Sequence, residues 1–178
     1  FKNRLEVLPG IKSEDYEDYK RLKPVYADII RAANQYYDLI FVDVNKGLDD
    51  ETTNEILRLS DLIMVNITQR LRLINDYIEL KKDGFLKQRK NTLLLVGRYD
   101  RYSKYNSKNI ARYIGEKEVY TVPYSTLFFE AANEGKVADF FLRFRKIDEN
   151  DRNAIFISEI KKVSSKILYK LQELKMSI

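Results

Sequence analysis

Short apolar runs alternate with longer stretches of helical spacing through the first three quarters of the chain, and few folds accommodate that order. The runs are Leu5-Glu6-Val7-Leu8, Leu39-Ile40-Phe41-Val42, Leu62-Ile63-Met64-Val65, Thr92-Leu93-Leu94-Leu95-Val96 and Val119-Tyr120-Thr121-Val122. Several are apolar without a break, as strands covered on both faces by helices are. Between them lie helical patterns. Val25, Ile29, Ile30 and Ala33 follow Pro24, which suits a first turn. Leu71, Ile74 and Ile78 form a second stripe, stopped by Gly84. Ser107 is placed to cap a helix carrying Ile110 and Ile114, and Ser125 one carrying Leu127, Phe128, Ala131 and Ala132. The expected fold is α/β, a three-layer sandwich with a mostly parallel sheet flanked by helices. With 178 residues and no evident linker or repeat, one domain over 1–178 is the simplest count.

After Gly135 the pattern becomes purely helical. Phe140, Phe141 and Phe144 cluster, Asp148-Glu149-Asn150-Asp151 breaks the chain, and a long last helix carries Phe156, Ile160, Val163, Ile167, Leu171 and Leu174. No apolar run approaches the roughly 18 residues of a membrane span. The chain opens on Phe1 rather than Met and shows no signal peptide, which reads as a processed or truncated chain, or part of something longer.

Composition narrows the chemistry. The chain has no Cys and no His. Disulfides, thiolate metal sites and every serine–His or cysteine–His dyad are therefore excluded. Reactions here must run on carboxylates, Lys and Arg, hydroxyls, backbone groups or a bound metal. The net charge of +5 is compatible with a polyanionic partner or with a solvated surface.

The stretch Tyr37-Asp38-Leu39-Ile40-Phe41-Val42-Asp43 ends an apolar run in an acid, and Gly47 follows four residues later. A carboxylate at the carboxyl end of a strand is where phosphoryl-transfer sites hold magnesium. A nearby glycine lets a backbone N–H approach a terminal phosphate. The competing reading is an Asp that merely opens a turn.

This stretch resembles the Walker B signature of the ParA/MinD family of deviant P-loop ATPases. Leu5 to Gly10, Asp61 to Asn66, Val96-Gly97-Arg98-Tyr99-Asp100, and Val122-Pro123-Tyr124 followed by Glu130 to Lys136 are similar to further stretches of that family, in family order. The resemblance implies a P-loop NTPase-like fold, with ATP and Mg2+ as ligands. It makes Asp43 the acid acting on magnesium and the water network, and Gly47 the switch glycine that senses the terminal phosphate. Arg98, Tyr99, Asp100, Pro123 and Tyr124 would border the adenine. It also implies a homodimer formed around two nucleotides, slow hydrolysis used as a timer, a partner protein that stimulates it, and a cytoplasmic location. Cargo in this family includes DNA, division proteins, flagella and pili.

The sequence also departs from the family. It holds no glycine-rich phosphate loop with its lysine, which is expected upstream of residue 1. Gly97 stands where the family usually has an adenine-binding Asn, and Asn45-Lys46 precede the switch glycine in place of small or Pro residues. These departures motivate a second reading, an NTPase-fold scaffold without catalysis.

Charged features remain. Lys161, Lys162, Lys166, Lys170 and Lys175 line the last helix, which reads as a solvated face of a packed helix in preference to a membrane-lying one. Lys81-Lys82 with Lys87, Arg89 and Lys90, and Arg143 with Arg145 and Lys146, are patches of the kind that bind DNA without sequence preference. Tyr99, Tyr102 and Tyr105 interleave with Arg98, Arg101 and Lys104, a pattern that can stack on a base, an adenine more naturally here than a nucleic-acid strand, or that simply forms a mobile surface loop.

Overall fold

The structure is a computed structural model and describes residues 5–9, 21, 23–44, 50–82, 86 and 91–176. Its residues fall into two compact units, Phe1–Ser60 and Asp61–Ile178.

In the first unit, a short 3-10 turn at Lys23–Val25 leads into α1 (Tyr26–Ala33). Pro24 lies in that entry, where its missing N–H costs nothing. Helix α2 (Glu51–Leu59) starts where the Asp50 carboxylate accepts the backbone N–H of Thr53 at 2.9 Å. The two helices pack together, with Arg31 reaching Asp28 at 2.7 Å and Glu55 at 3.5 Å. Residues 5–9 and 37–44 have no regular secondary structure, although the sequence predicts strands at Leu5–Leu8 and Leu39–Val42. The physical reason is the absence of a ladder neighbour among the described residues. An apolar run becomes a strand only when its N–H and C=O groups are paired, and Phe41 here is 73% exposed.

In the second unit, β1 (Ile63–Ile67), β2 (Thr92–Tyr99) and β3 (Tyr120–Pro123) form a parallel sheet in the order β1-β2-β3. Ile63 pairs with Thr92 and Leu95 with Tyr120. The crossovers are α3 (Leu71–Lys82) and α4 (Ser107–Ile114). Right-handed crossovers that step in one direction put both helices on one face. One core cluster accordingly joins Ile67, Leu94 and Val96 of the strands to Ile74 and Tyr77 of α3 and Ile110 and Ile114 of α4. Each fully buried aliphatic side chain contributes about 1.5–3 kcal/mol.

Beyond β3 come α5 (Thr126–Asn133), α6 (Val137–Arg143) and α7 (Ala154–Met176). Phe140 and Phe144 meet Phe156 and Ile157, with Val122 of β3 packed on them, and α7 lies against β3. The α/β class with a parallel sheet flanked by helices is therefore present. No helix among the described residues is long and apolar enough to cross a membrane.

Of the phenols raised among the described residues, Tyr77 and Tyr120 are shifted most. Burial, then the Glu116 carboxylate that accepts the Tyr77 hydroxyl at 3.2 Å, push Tyr77 well above the ordinary phenol range. Lys81 reaches the same carboxylate at 2.5 Å. Burial, then Glu118, push Tyr120 up to about 12. The unfolded chain ionises these phenols near 10, so above that pH it releases protons the folded chain keeps. For Tyr120 the stabilisation is complete below pH 10 and lost between 10 and about 12, while that of Tyr77 persists to higher pH. Urea unfolding should show stability falling over that window, with a shallower fall in Tyr120→Phe. An equal slope in that variant would remove Tyr120 from the effect.

Candidate functional site: the carboxyl edge of the sheet

Ligands of open α/β sheets bind outside the carboxyl ends of the strands. In the second unit that edge is built from three connections. Thr68 to Arg70 follow β1, Asp100 to Asn106 follow β2, and Tyr124 and Ser125 follow β3.

The β2 connection is held by a side chain from the β1 connection. The Gln69 amide donates from Nε2 to the carbonyls of Asp100 and Tyr105, both at 2.9 Å, and its Oε1 accepts the Asp100 N–H at 2.7 Å. Both ends of one amide are thus used. The loop ties itself down further. Asp100 Oδ1 accepts the Tyr102 N–H at 2.9 Å, Asn109 Nδ2 donates to the Lys104 carbonyl at 2.8 Å, and the Tyr99 hydroxyl accepts the Ser107 N–H at 3.0 Å. Arg98 sits at φ 51°, a left-handed position that a residue with a Cβ adopts at a cost. This kink coincides with the break in strand register between Val96 and Tyr99.

The same register makes Tyr99 and Pro123 partners across β2 and β3. The sequence-predicted groups Arg98-Tyr99-Asp100 and Pro123-Tyr124, far apart in the chain, are therefore neighbours at one edge. Arg98, Asp100 and Tyr124 are exposed, while Tyr99 and Pro123 are half-buried. The Tyr124 ring leans on Phe129 at 6.2 Å between centroids. Buried Ser125 caps α5 by accepting the Phe128 N–H at 3.2 Å and donates to Asn153 Oδ1 at 3.4 Å. Asn153 in turn donates its backbone and side-chain N–H groups to Asp151, which hold that carboxyl below its ordinary range.

Gly97 has a direct neighbour. A Cβ added there would lie 3.1 Å from Asn66 Oδ1 on β1, so the amide of Asn66 occupies the space beside the bare backbone.

Of the remaining sequence-predicted residues, Asp43 belongs to the first unit and is exposed. Gly47, with Asn45 and Lys46, lies outside the described residues, as do Gly84, Lys87, Arg89 and Lys90. No group of three carboxylates or other ligating side chains that could hold a metal occurs among the described residues. A single carboxylate such as Asp43 fits the protein's share of a magnesium shell, which is otherwise filled by water and phosphate oxygens.

Sequence reasoning missed Gln69, Asn66 and Asn153. None carries a local signal, since the contacts of Gln69 span 31 and 36 positions of the chain. Gln69→Ala is expected to lower stability by about 2–3 kcal/mol, three hydrogen bonds at roughly 1 kcal/mol each. It should also speed hydrogen exchange at the Asp100 amide. An unchanged Asp100 exchange rate would show that the loop holds its shape without the clamp.

Comparison with family models, with characterised proteins and with solved structures returns no match.

Proposed function

We propose that this chain is part of an ATP-binding positioning switch resembling the ParA/MinD ATPases, with a P-loop NTPase-like three-layer fold. The observation that carries the reading is the pairing of Tyr99 with Pro123, which gathers Arg98, Tyr99, Asp100, Pro123 and Tyr124 at the carboxyl edge of a parallel sheet. An edge with exposed Arg and Tyr side chains suits a nucleobase, because the rings stack and the guanidinium lies close to phosphate.

In this reading Asp43 is the acid that orients magnesium or water, and Gly47 reports the terminal phosphate. Magnesium, when bound, neutralises charge on the phosphates. The chain's own contribution is to hold the base at the β2–β3 edge and to offer the Asp43 carboxylate. The phosphates themselves need a glycine-rich loop that the 178 residues do not contain. A cytoplasmic homodimer, a stimulating partner protein and a DNA surface as the track complete the proposal, with a membrane surface ranked behind DNA.

A second reading rests on Gly97 and Asn66. Where an amide side chain at position 97 is expected to face the adenine, a glycine stands under the Asn66 amide. That favours an NTPase-fold scaffold without catalysis. The test is ATP binding and magnesium-dependent turnover by the gene product. Saturable binding with turnover supports the switch, binding without turnover supports the scaffold, and no binding at millimolar ATP removes the nucleotide from both.

A further inference from the structure

The segment Arg98 to Gly115 is strongly basic. It holds Arg98, Arg101, Lys104, Lys108 and Arg112 against the single acid Asp100, a net +4. All five cations are exposed, and none forms an ion pair among the described residues. Some exposed cations elsewhere are neutralised, as Lys136 is by Glu134 at 2.7 Å and Lys82 by Glu79 at 2.8 Å. A cluster of unneutralised cations repels itself, and a polyanion relieves that repulsion.

Aromatic rings lie among these charges. Tyr102 is 82% exposed, with the Arg101 guanidinium 4.9 Å from its ring centroid. Tyr113 is 59% exposed, and its hydroxyl is pinned to Asn75 Oδ1 at 3.0 Å. Lys104 lies 5.1 Å over the Tyr105 ring. The apolar aliphatic residues of the segment, Ile110 and Ile114, are buried. The exposed surface therefore offers rings and positive charge but no greasy side chain. That combination suits a partner with planar groups and phosphates, and gives a bilayer nothing to insert. Duplex DNA keeps its bases stacked inside, where exposed tyrosines gain no ring contact. The Gln69 clamp and the bond from Asn109 to Lys104 prebuild the loop, so little ordering entropy is lost on binding.

We propose that the surface formed by the β2–α4 loop and the outer side of α4 binds single-stranded nucleic acid without sequence preference, through Tyr102 and Tyr113 as stacking platforms and the five cations as phosphate contacts. This site extends outward from the nucleotide edge and does not depend on ATP binding.

The test is fluorescence anisotropy of the full chain with a labelled thymidine 20-mer, a uridine 20-mer and a 20-base-pair duplex. Oligothymidine contains no adenine, so its binding is independent of any ATP site. Single strands are expected to bind more tightly than the duplex, and the two strand types separate a DNA from an RNA preference. Affinity should fall about 100-fold between 50 and 200 mM salt for five phosphate contacts to a single strand. Tyr102→Ala should weaken binding by about 5–100-fold, with Tyr102→Phe retaining it. Arg101→Glu with Lys104→Glu should lose about 10-fold or more, while the matched reversal Lys166→Glu with Lys170→Glu, on the solvated face of the last helix, changes affinity by less than about 3-fold. Three outcomes overturn the proposal: no saturable binding of either strand at 50 mM salt, duplex binding as tight as single-strand binding, or equal losses from the two charge reversals.

Discussion

Asp43→Ala is expected to lower magnesium-dependent ATP turnover of the gene product by about 10²-fold or more while leaving its thermal stability within about 0.5 kcal/mol. The two halves of this result have different causes. Turnover falls because the reading places the only charge that Asp43 brings where phosphate charge and the attacking water are arranged. Stability holds because the side chain is exposed in a stretch without regular structure. Asp43→Asn keeps the shape and removes the charge, and should match the alanine variant. Turnover unchanged in both variants would remove Asp43 from the site. Turnover lost together with a large fall in stability would instead mark a folding role.

The sheet of the second unit was legible because each of its strands is an apolar run followed by a helical pattern. Leu93, Leu94 and Val96 are buried, as a continuous run requires. The runs at Leu5–Leu8 and Leu39–Val42 read the same way in sequence, yet they lack a ladder among the described residues. Pattern alone cannot supply the neighbour that a strand needs. The starts of α4 and α5 were legible to within a residue. Ser125 caps α5 as its position suggests, but α4 is capped by Asn106, whose Oδ1 accepts the Asn109 N–H at 3.0 Å, and Ser107 becomes the first helical residue. Neighbouring Asn and Ser both make good caps, and only the backbone decides between them.

Arg98 to Asp100 and Pro123-Tyr124 were singled out only by the resemblance to the ParA/MinD family, and the structure shows them to be neighbours at the carboxyl edge of the sheet. Their adjacency depends on β2 and β3 being neighbours in the sheet, which a sequence order implies only through the preference for sequential pairing. Gln69 was illegible. A glutamine after a strand has no pattern, and its role appears only once the β2 connection has folded back to meet it. The charge asymmetry of Arg98 to Gly115 was written in the sequence, but its meaning depends on Ile110 and Ile114 turning inward and leaving the cations and tyrosines outside.

Phe140→Ala is expected to be the most destabilising single change in the second unit, by about 3–5 kcal/mol. Phe140 is 6% exposed, and its ring meets those of Phe144 at 4.8 Å, Phe141 at 5.4 Å, Phe128 at 5.5 Å and Phe156 at 6.0 Å. These rings come from α5, α6, the turn after α6 and α7, so the cavity left by alanine opens where the elements beyond β3 converge. Backbone hydrogen bonds within each helix resist collapse into that space, which keeps the cavity cost high. Edge-to-face and tilted ring pairs add about 0.5–1.5 kcal/mol each beyond the area they bury. The corresponding fall in midpoint temperature is roughly 10–20 °C for a unit of this size. Leu142→Ala on the same helix is the control, because Leu142 is 53% exposed and its truncation should cost less than about 1 kcal/mol. Urea unfolding followed by circular dichroism measures both. A Phe140→Ala midpoint no lower than that of Leu142→Ala would mean that the phenylalanine cluster does not hold α6 and α7 to β3. A large gap would place the stability of the sheet's last strand, and with it the Pro123-Tyr124 side of the candidate site, on this cluster.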